Sequence, residues 1–135
     1  MGILGVNFTK LGLEKTGQIK GKVNIRNNVI ITSVDKGDFT VGTAKQPLLK
    51  VGFEFTVLYE PKIAKVEILG ELLFLESEAQ VNELQKSWQK DKSLPKEIKA
   101  ALLTSIIQRA NIEALILSRE VGLPPPIQLP RVNIK

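Results

Sequence analysis

Three groups of residues have the types that chemistry uses. Gly17 and Gly21, followed by Lys22, suggest a phosphate loop. The two glycines stand one residue too close for one, however, and Val23 occupies the position of the magnesium-binding hydroxyl. Asp35 and Asp38, beside Gly37, make half of a calcium loop without its closing glutamate; a plain turn is the reading adopted. Glu54, Glu67 and Glu71 recur where paired carboxylates could do acid–base work, but lysines such as Lys50 and Lys65 are placed to pair with them across strands. The chain has no cysteine and no histidine. Thiolate nucleophiles, iron–sulfur clusters, cysteine zinc sites and the usual general base are therefore missing. The expectation is a protein with no catalytic residue, no cofactor and no metal, hence not an enzyme.

Binding remains, and charge is the first guide to it. The net charge is +5 over 135 residues, which would favour anionic partners if it were concentrated. It is dispersed. Lys10, Lys15, Lys20, Lys22, Lys36, Lys45 and Lys50 are spread along the first part, and Lys86, Lys90, Lys92, Lys96 and Lys99 alternate with Glu83, Asp91 and Glu97. A solvated lysine-rich surface fits this better than a nucleic-acid footprint. No uninterrupted apolar run reaches the roughly 18 residues of a membrane span, and the first ten residues lack a basic start and a long apolar core. Val6 stands where myristoylation needs a hydroxyl. A cytoplasmic protein without a membrane span is expected.

The elements follow from periodicity. Leu49, Val51, Phe53, Phe55, Val57 and Tyr59 alternate with Lys50, Glu54, Thr56 and Glu60, the period of a strand with one buried face. Pro61 starts a turn, and Ala64, Val66, Ile68, Gly70, Leu72 and Phe74 continue the apolar face in a second strand, giving an antiparallel hairpin. Upstream, Val23 and Ile25, the turn-prone pair Asn27 and Asn28, and Val29 to Ile31 read as a strand with a bulge or two short strands. Leu4, Val6 and Phe8, with Leu11 and Leu13 on the opposite parity, make a weaker strand. About four strands result, within the usual size of a sheet.

After Leu75 the period becomes helical. Ser77 caps a short helix carrying Val81, Leu84 and Trp88 and ending near Lys90, and Ser93 offers the cap of the next. That second helix runs to Val121, about 40 Å at 1.5 Å per residue. One stripe holds Ile98, Ala101, Leu102, Ser105, Ile106, Ile112 and Ile116, and another holds Leu103, Ile107, Ala110, Ala114, Leu117 and Val121. A sheet shelters one side of a helix, so two apolar sides call for a second partner, and another copy of the chain is the obvious one. Gly122 supplies the left-handed cap and three prolines forbid continuation. The residues beyond are apolar again, at Ile127, Leu129, Val132 and Ile134. They call for something to lie against.

Three segments in chain order resemble the SecB family of export chaperones and the SecB-like proteins of archaea and toxin–antitoxin systems. Phe8 to Glu14 is similar to the family's first strand, the long hairpin to its two central strands, and Gly122, the prolines, Leu129, Val132 and Asn133 to its helix end, crossover loop and Val-Asn pair. The chain departs from the family in having Ile134 where an aromatic usually follows, and in being basic where SecB is acidic.

The resemblance implies an α+β fold, an antiparallel sheet of about four strands with a long C-terminal helix packed on one face. It divides the chain into a sheet at 1–76, a short helix at 77–92, a long helix at 93–122 and a crossover segment at 123–135. It also implies homo-oligomers, dimers or tetramers, and grooves that hold non-native polypeptide without ATP, with a link to protein export. Leu58, Leu69, Leu73, Leu123, Ile127 and Leu129 are the candidate client contacts. Ile106, Ala110, Ala114 and Leu117 are the candidate subunit contacts. A nucleic-acid binder and a structural or antitoxin-type protein with one specific partner stay open beside the chaperone reading.

Overall fold

The computed structural model describes residues 2–17 and 21–126. The element order is β1 (Gly2–Lys15), β2 (Asn24–Val41), β3 (Ala44–Glu60), β4 (Ala64–Leu75), α1 (Glu78–Asp91) and α2 (Lys96–Glu120). The four strands form one antiparallel sheet in the order β1-β4-β3-β2, and both helices pack against it. The fold is α+β, as the periodicities require.

The two central strands carry the predicted alternation. Leu49 to Tyr59 at odd positions and Ala64 to Phe74 at even positions are buried, and the direct cross-strand pairs, Val51↔Leu72, Phe55↔Ile68 and Val57↔Val66, keep both sets on one face. Gly70 sits where this face is most crowded. A Cβ there would collide with the carbonyl oxygen of Asn7 and lie 2.9 Å from Cζ of Phe53. Its absence lets the rings of Phe8 and Phe53 meet edge to face at 6.3 Å across β4.

The edge strands are less regular, for a reason visible in their registers. In β1 the register shifts between Ile3 and Gly5 and again between Phe8 and Lys10. Because strand parity is two, the extra residue at Thr9 moves the core-facing set from Val6 and Phe8 to Leu13, which explains the parity change in the sequence. In β2 the extra residue is Thr32, so Ile25, Val29 and Ile31 face the core before it and Val34 after it. Two expectations change here. Asn27 and Asn28 do not interrupt the strand but pair with Val57 and Thr56, and Asp35 and Asp38 lie within β2 opposite Lys50 and Pro47. The turn is at Gly42 and Thr43, between the paired residues Val41 and Ala44.

Helix α1 starts at Ser77, whose side chain accepts from the Gln80 amide at 3.3 Å, and buries Val81 and Leu84 over β2 and β3. Ser93 does not cap α2: its hydroxyl bonds the Asp91 carboxylate, and Pro95 is the capping residue without a side-chain bond. Proline suits that place because no helical partner is needed for its missing N–H.

Helix α2 lies over β4, β1 and β3 through Leu102, Ile106, Ala110, Ala114 and Ser118. The four-residue spacing puts these on one face, and the small side chains at 110, 114 and 118 let the backbone come close to the sheet. The helix ends as predicted at Gly122, with φ +70. The amides of Gly122 and Leu123 return to the carbonyls of Arg119 and Ser118 at 3.2 and 2.9 Å. This double bond to the last turn needs a left-handed residue between, which glycine adopts without strain. Taken by length and composition, α2 is also apolar enough to cross a membrane. In this fold its inner stripe is packed on the sheet.

Candidate functional site

The chain leaving α2 is the segment whose packing the sequence left open, and the described part of it lies across the ends of β3 and β2. Leu123 is 7% exposed and belongs to the core. The Tyr59 hydroxyl donates to the carbonyl of Pro124 at 2.8 Å, and Nδ2 of Asn27 donates to the carbonyl of Pro126 at 3.3 Å. Prolines present carbonyls but no amide, so a run of three has only acceptors to offer and side-chain donors must come to it. Tyr59 and Asn27 are those donors. The phenol is buried, and desolvation raises its pKa above the usual 10.0, opposed in part by a hydrogen bond with Ser118. It therefore stays a neutral donor throughout the physiological range.

Two clefts border this segment and the helix before it. The larger, about 320 Å³, is lined by Leu115, Ile116, Ser118, Arg119, Leu123 and Pro125. Its walls are largely apolar and its rim carries Arg119, whose guanidinium pairs with the exposed neighbour Glu120 at 3.6 Å. The smaller, about 210 Å³, opens between α2 and β2 and is lined by Asn27, Asn28, Val29, Phe55, Ile107 and Asn111. A third cleft, about 320 Å³, lies at the β3–β4 turn between Glu14, Thr16, Leu58, Glu60, Lys62 and Lys65. Two lysines and two carboxylates are among its lining residues.

The structure separates the predicted client contacts onto two surfaces. Leu58, Leu69 and Leu73 project from the sheet face opposite the helices, since they have the parity of Lys50, Glu54 and Glu67. All three are half-buried there, and Leu58 lines the cleft at the β3–β4 turn. Leu123 lies on the helix side, in the wall of the larger cleft. Strand parity thus places Leu58, Leu69 and Leu73 on the opposite face of the sheet from Leu123. Ile127 and Leu129 lie outside the described residues.

Three of the four predicted subunit contacts are buried within the chain itself. Ile106, Ala110 and Ala114 are 0% exposed in the single chain. They are occupied by the chain's own sheet and leave nothing for a second copy. Leu117 is half-buried and packs against the same core. The outward apolar residues of α2 are Ile112 and Ile116, exposed to 56% and 41%. The signal that locates them was present: alanine and serine at four-residue spacing mark a close contact, so bulky residues half a turn away face out. Asn111 and Ile107, by contrast, are made notable only by the cleft that they share with β2.

Among the described residues no three acidic side chains gather as a metal site would require. Lys10 and Lys65 both reach Glu67, at 3.5 and 3.9 Å, and Arg26 reaches Glu60 at 3.5 Å. The first and third pairs cross between strands and the second lies along β4; all are at the surface and contribute little individually. What the clefts offer is largely apolar walls with isolated polar groups.

No family model matches the sequence, and no curated protein matches it. Among solved structures the chain is similar to the SecB-like chaperone of Mycobacterium tuberculosis, solved in complex with a ChAD peptide from an antitoxin. The TM-score is 0.53 at 12% identity, over 99% of this chain and 91% of that one. At that identity the likeness concerns the fold.

Proposed function

We propose that this chain is an ATP-independent chaperone that binds non-native polypeptide. The observation that carries the reading is the pair of apolar clefts beside the segment Leu123–Pro126, itself tied to the sheet by Tyr59 and Asn27. Burying a client's apolar side chain in such a cleft contributes about 25 cal/mol per Å² removed from water. β2, like β1, is a terminal strand of the sheet among the described residues, so its outer edge can pair with an extended backbone as well. The similar mycobacterial structure supports the reading because that protein is a chaperone with a peptide bound.

In this reading Leu115 and Leu123 are client contacts of the larger cleft, and the chain works as a cytoplasmic homo-oligomer. The outward residues Ile112 and Ile116 take the place of the three core residues as the subunit contact. No enzymatic step and no cofactor is invoked. Leu58, Leu69 and Leu73 offer a second, separate apolar surface on the open sheet face.

The experiment is suppression of aggregation of a denatured substrate, run beside titration with an oligonucleotide at two salt concentrations. A holdase suppresses aggregation at near-stoichiometric ratio with little salt dependence. Oligonucleotide affinity that falls steeply with salt, without suppression, would instead establish a nucleic-acid binder.

A further inference from the structure

The smaller cleft contains a group that the rest of the fold leaves unexplained. The side-chain carbonyl Oδ1 of Asn111 is buried and has no hydrogen-bond partner among the described residues. Neither of the other two amide side chains at the cleft serves it: Nδ2 of Asn27 is turned to the Pro126 carbonyl, and Asn28, paired with Thr56, has the parity of the sheet face away from the helices. Buried acceptors in native proteins are almost always paired, and leaving one unpaired costs more than a typical bond gains. Asn111 lines the cleft and is itself only half-buried, so a small rotation of its side chain brings the unpaired oxygen to a donor there.

The surroundings say what kind of donor. Val29, Phe55 and Ile107 make the walls apolar, and the volume is about 210 Å³. This falls below the roughly 300 Å³ at which small-molecule sites begin. It is room for one side chain. The cleft opens beside Asn27, Asn28 and Val29 of β2, one of the two strands whose outer edge is free among the described residues. A segment running along that edge projects alternate side chains toward the helix face of the sheet, where α2 and Asn111 stand.

We infer that this cleft is a selective subsite for a polypeptide side chain with an apolar body and a hydrogen-bond donor at its tip, tyrosine being the natural occupant. The inference rests on the polypeptide-binding reading and sharpens it: apolar bulk alone suffices elsewhere on the surface, but here the client must also supply an N–H or O–H to Asn111. Phenylalanine fills the same walls and leaves the acceptor unpaired. A site built to bond a donor rejects the analogue lacking it more strongly than an apolar site rejects a missing methylene.

The test uses two nine-residue peptides, identical except for a central tyrosine or phenylalanine flanked by valine and threonine, titrated into the full chain. The tyrosine peptide binds about tenfold more tightly. In Asn111→Leu the two peptides bind alike, and in Asn111→Asp, which keeps an acceptor, the preference persists. A thermal melt of each variant shows that the fold is retained, and Asn111→Leu melts no lower than the parent because it loses an unpaired polar atom. Equal binding of both peptides by the parent, or a tyrosine preference that survives Asn111→Leu, overturns the inference while leaving a holdase intact. Binding of neither peptide together with suppression of aggregation also overturns it alone. Loss of both activities removes the underlying reading as well.

Discussion

The hydroxyl of Tyr59 donates a 2.8 Å hydrogen bond to the carbonyl of Pro124, 65 positions further along the chain. It ties the hairpin end of the sheet to the segment that leaves the long helix. A proline run has no amide with which to join the sheet, so this side-chain bond and that of Asn27 fix its path. Replacing Tyr59 with Phe keeps the ring in the core and deletes one donor. Stability is expected to fall by about 1 kcal/mol, with the Pro124 carbonyl left to find water. In urea the midpoint moves down at unchanged slope. A midpoint equal to the parent's would show that the bond contributes nothing net.

The same phenol predicts a pH dependence. Burial raises its pKa above 10.0, the Ser118 bond opposing in part, whereas the unfolded chain titrates near that value. The folded state therefore holds the proton longer. The contribution is complete below pH about 10 and is lost as the pH rises toward the folded pKa, because only the unfolded phenol gains by ionising. Tyr59→Phe abolishes this part of the alkaline loss. The check is the stability difference between parent and variant at pH 8 and pH 11, which narrows at the higher pH if Tyr59 is responsible.

Period two was legible wherever a strand had neighbours on both sides and one buried face. From Leu49 to Tyr59 and from Ala64 to Phe74 the sequence alternation and the buried set coincide. It was obscured in β1 and β2, where single extra residues at Thr9 and Thr32 reverse the parity and the edge leaves apolar residues such as Leu11 exposed. Asn27 and Asn28 show a second limit. Local preference favours a turn at such a pair, but pairing with Val57 and Thr56 overrides it, and one of the two then serves the proline segment.

Gly70 gives the sharpest test of the central packing. Alanine there would push a methyl group against the Asn7 carbonyl and to 2.9 Å from the Phe53 ring, in a position hemmed by backbone on one side. Neither neighbour can yield without moving β1 or breaking the edge-to-face contact. Gly70→Ala is expected to destabilise by about 2 kcal/mol, in the range of overpacked cores. Chemical denaturation measures it. A neutral result would mean that β1 slides freely past β4, and the bulge at Thr9 would then have no packing reason.

The site was harder to read than the fold because a helix that is apolar all round does not declare which side the sheet takes. The α2 pattern contains both answers, and only the small residues at 110, 114 and 118 decide between them. Asn111 carried no sequence signal at all, since an unpaired acceptor is defined by what its surroundings fail to supply.

The choice of faces on α2 can be tested by substitution on each side. Ala110→Leu inserts a branched side chain where the helix touches the sheet at 0% exposure, and is expected to cost about 1–3 kcal/mol. The pair Ile112→Asp and Ile116→Asp lies on the open face, at 56% and 41% exposure, and changes the stability of an isolated chain by less than about 0.5 kcal/mol per site. If chains associate through that face, two buried carboxylates at each contact are incompatible with it, because unpaired charge cannot be desolvated cheaply. The double variant then elutes and scatters light as a smaller species than the parent while keeping its helical signal. Equal mass for parent and variant would exclude Ile112 and Ile116 from any subunit contact and leave them free, beside Leu115 and the larger cleft, for a client.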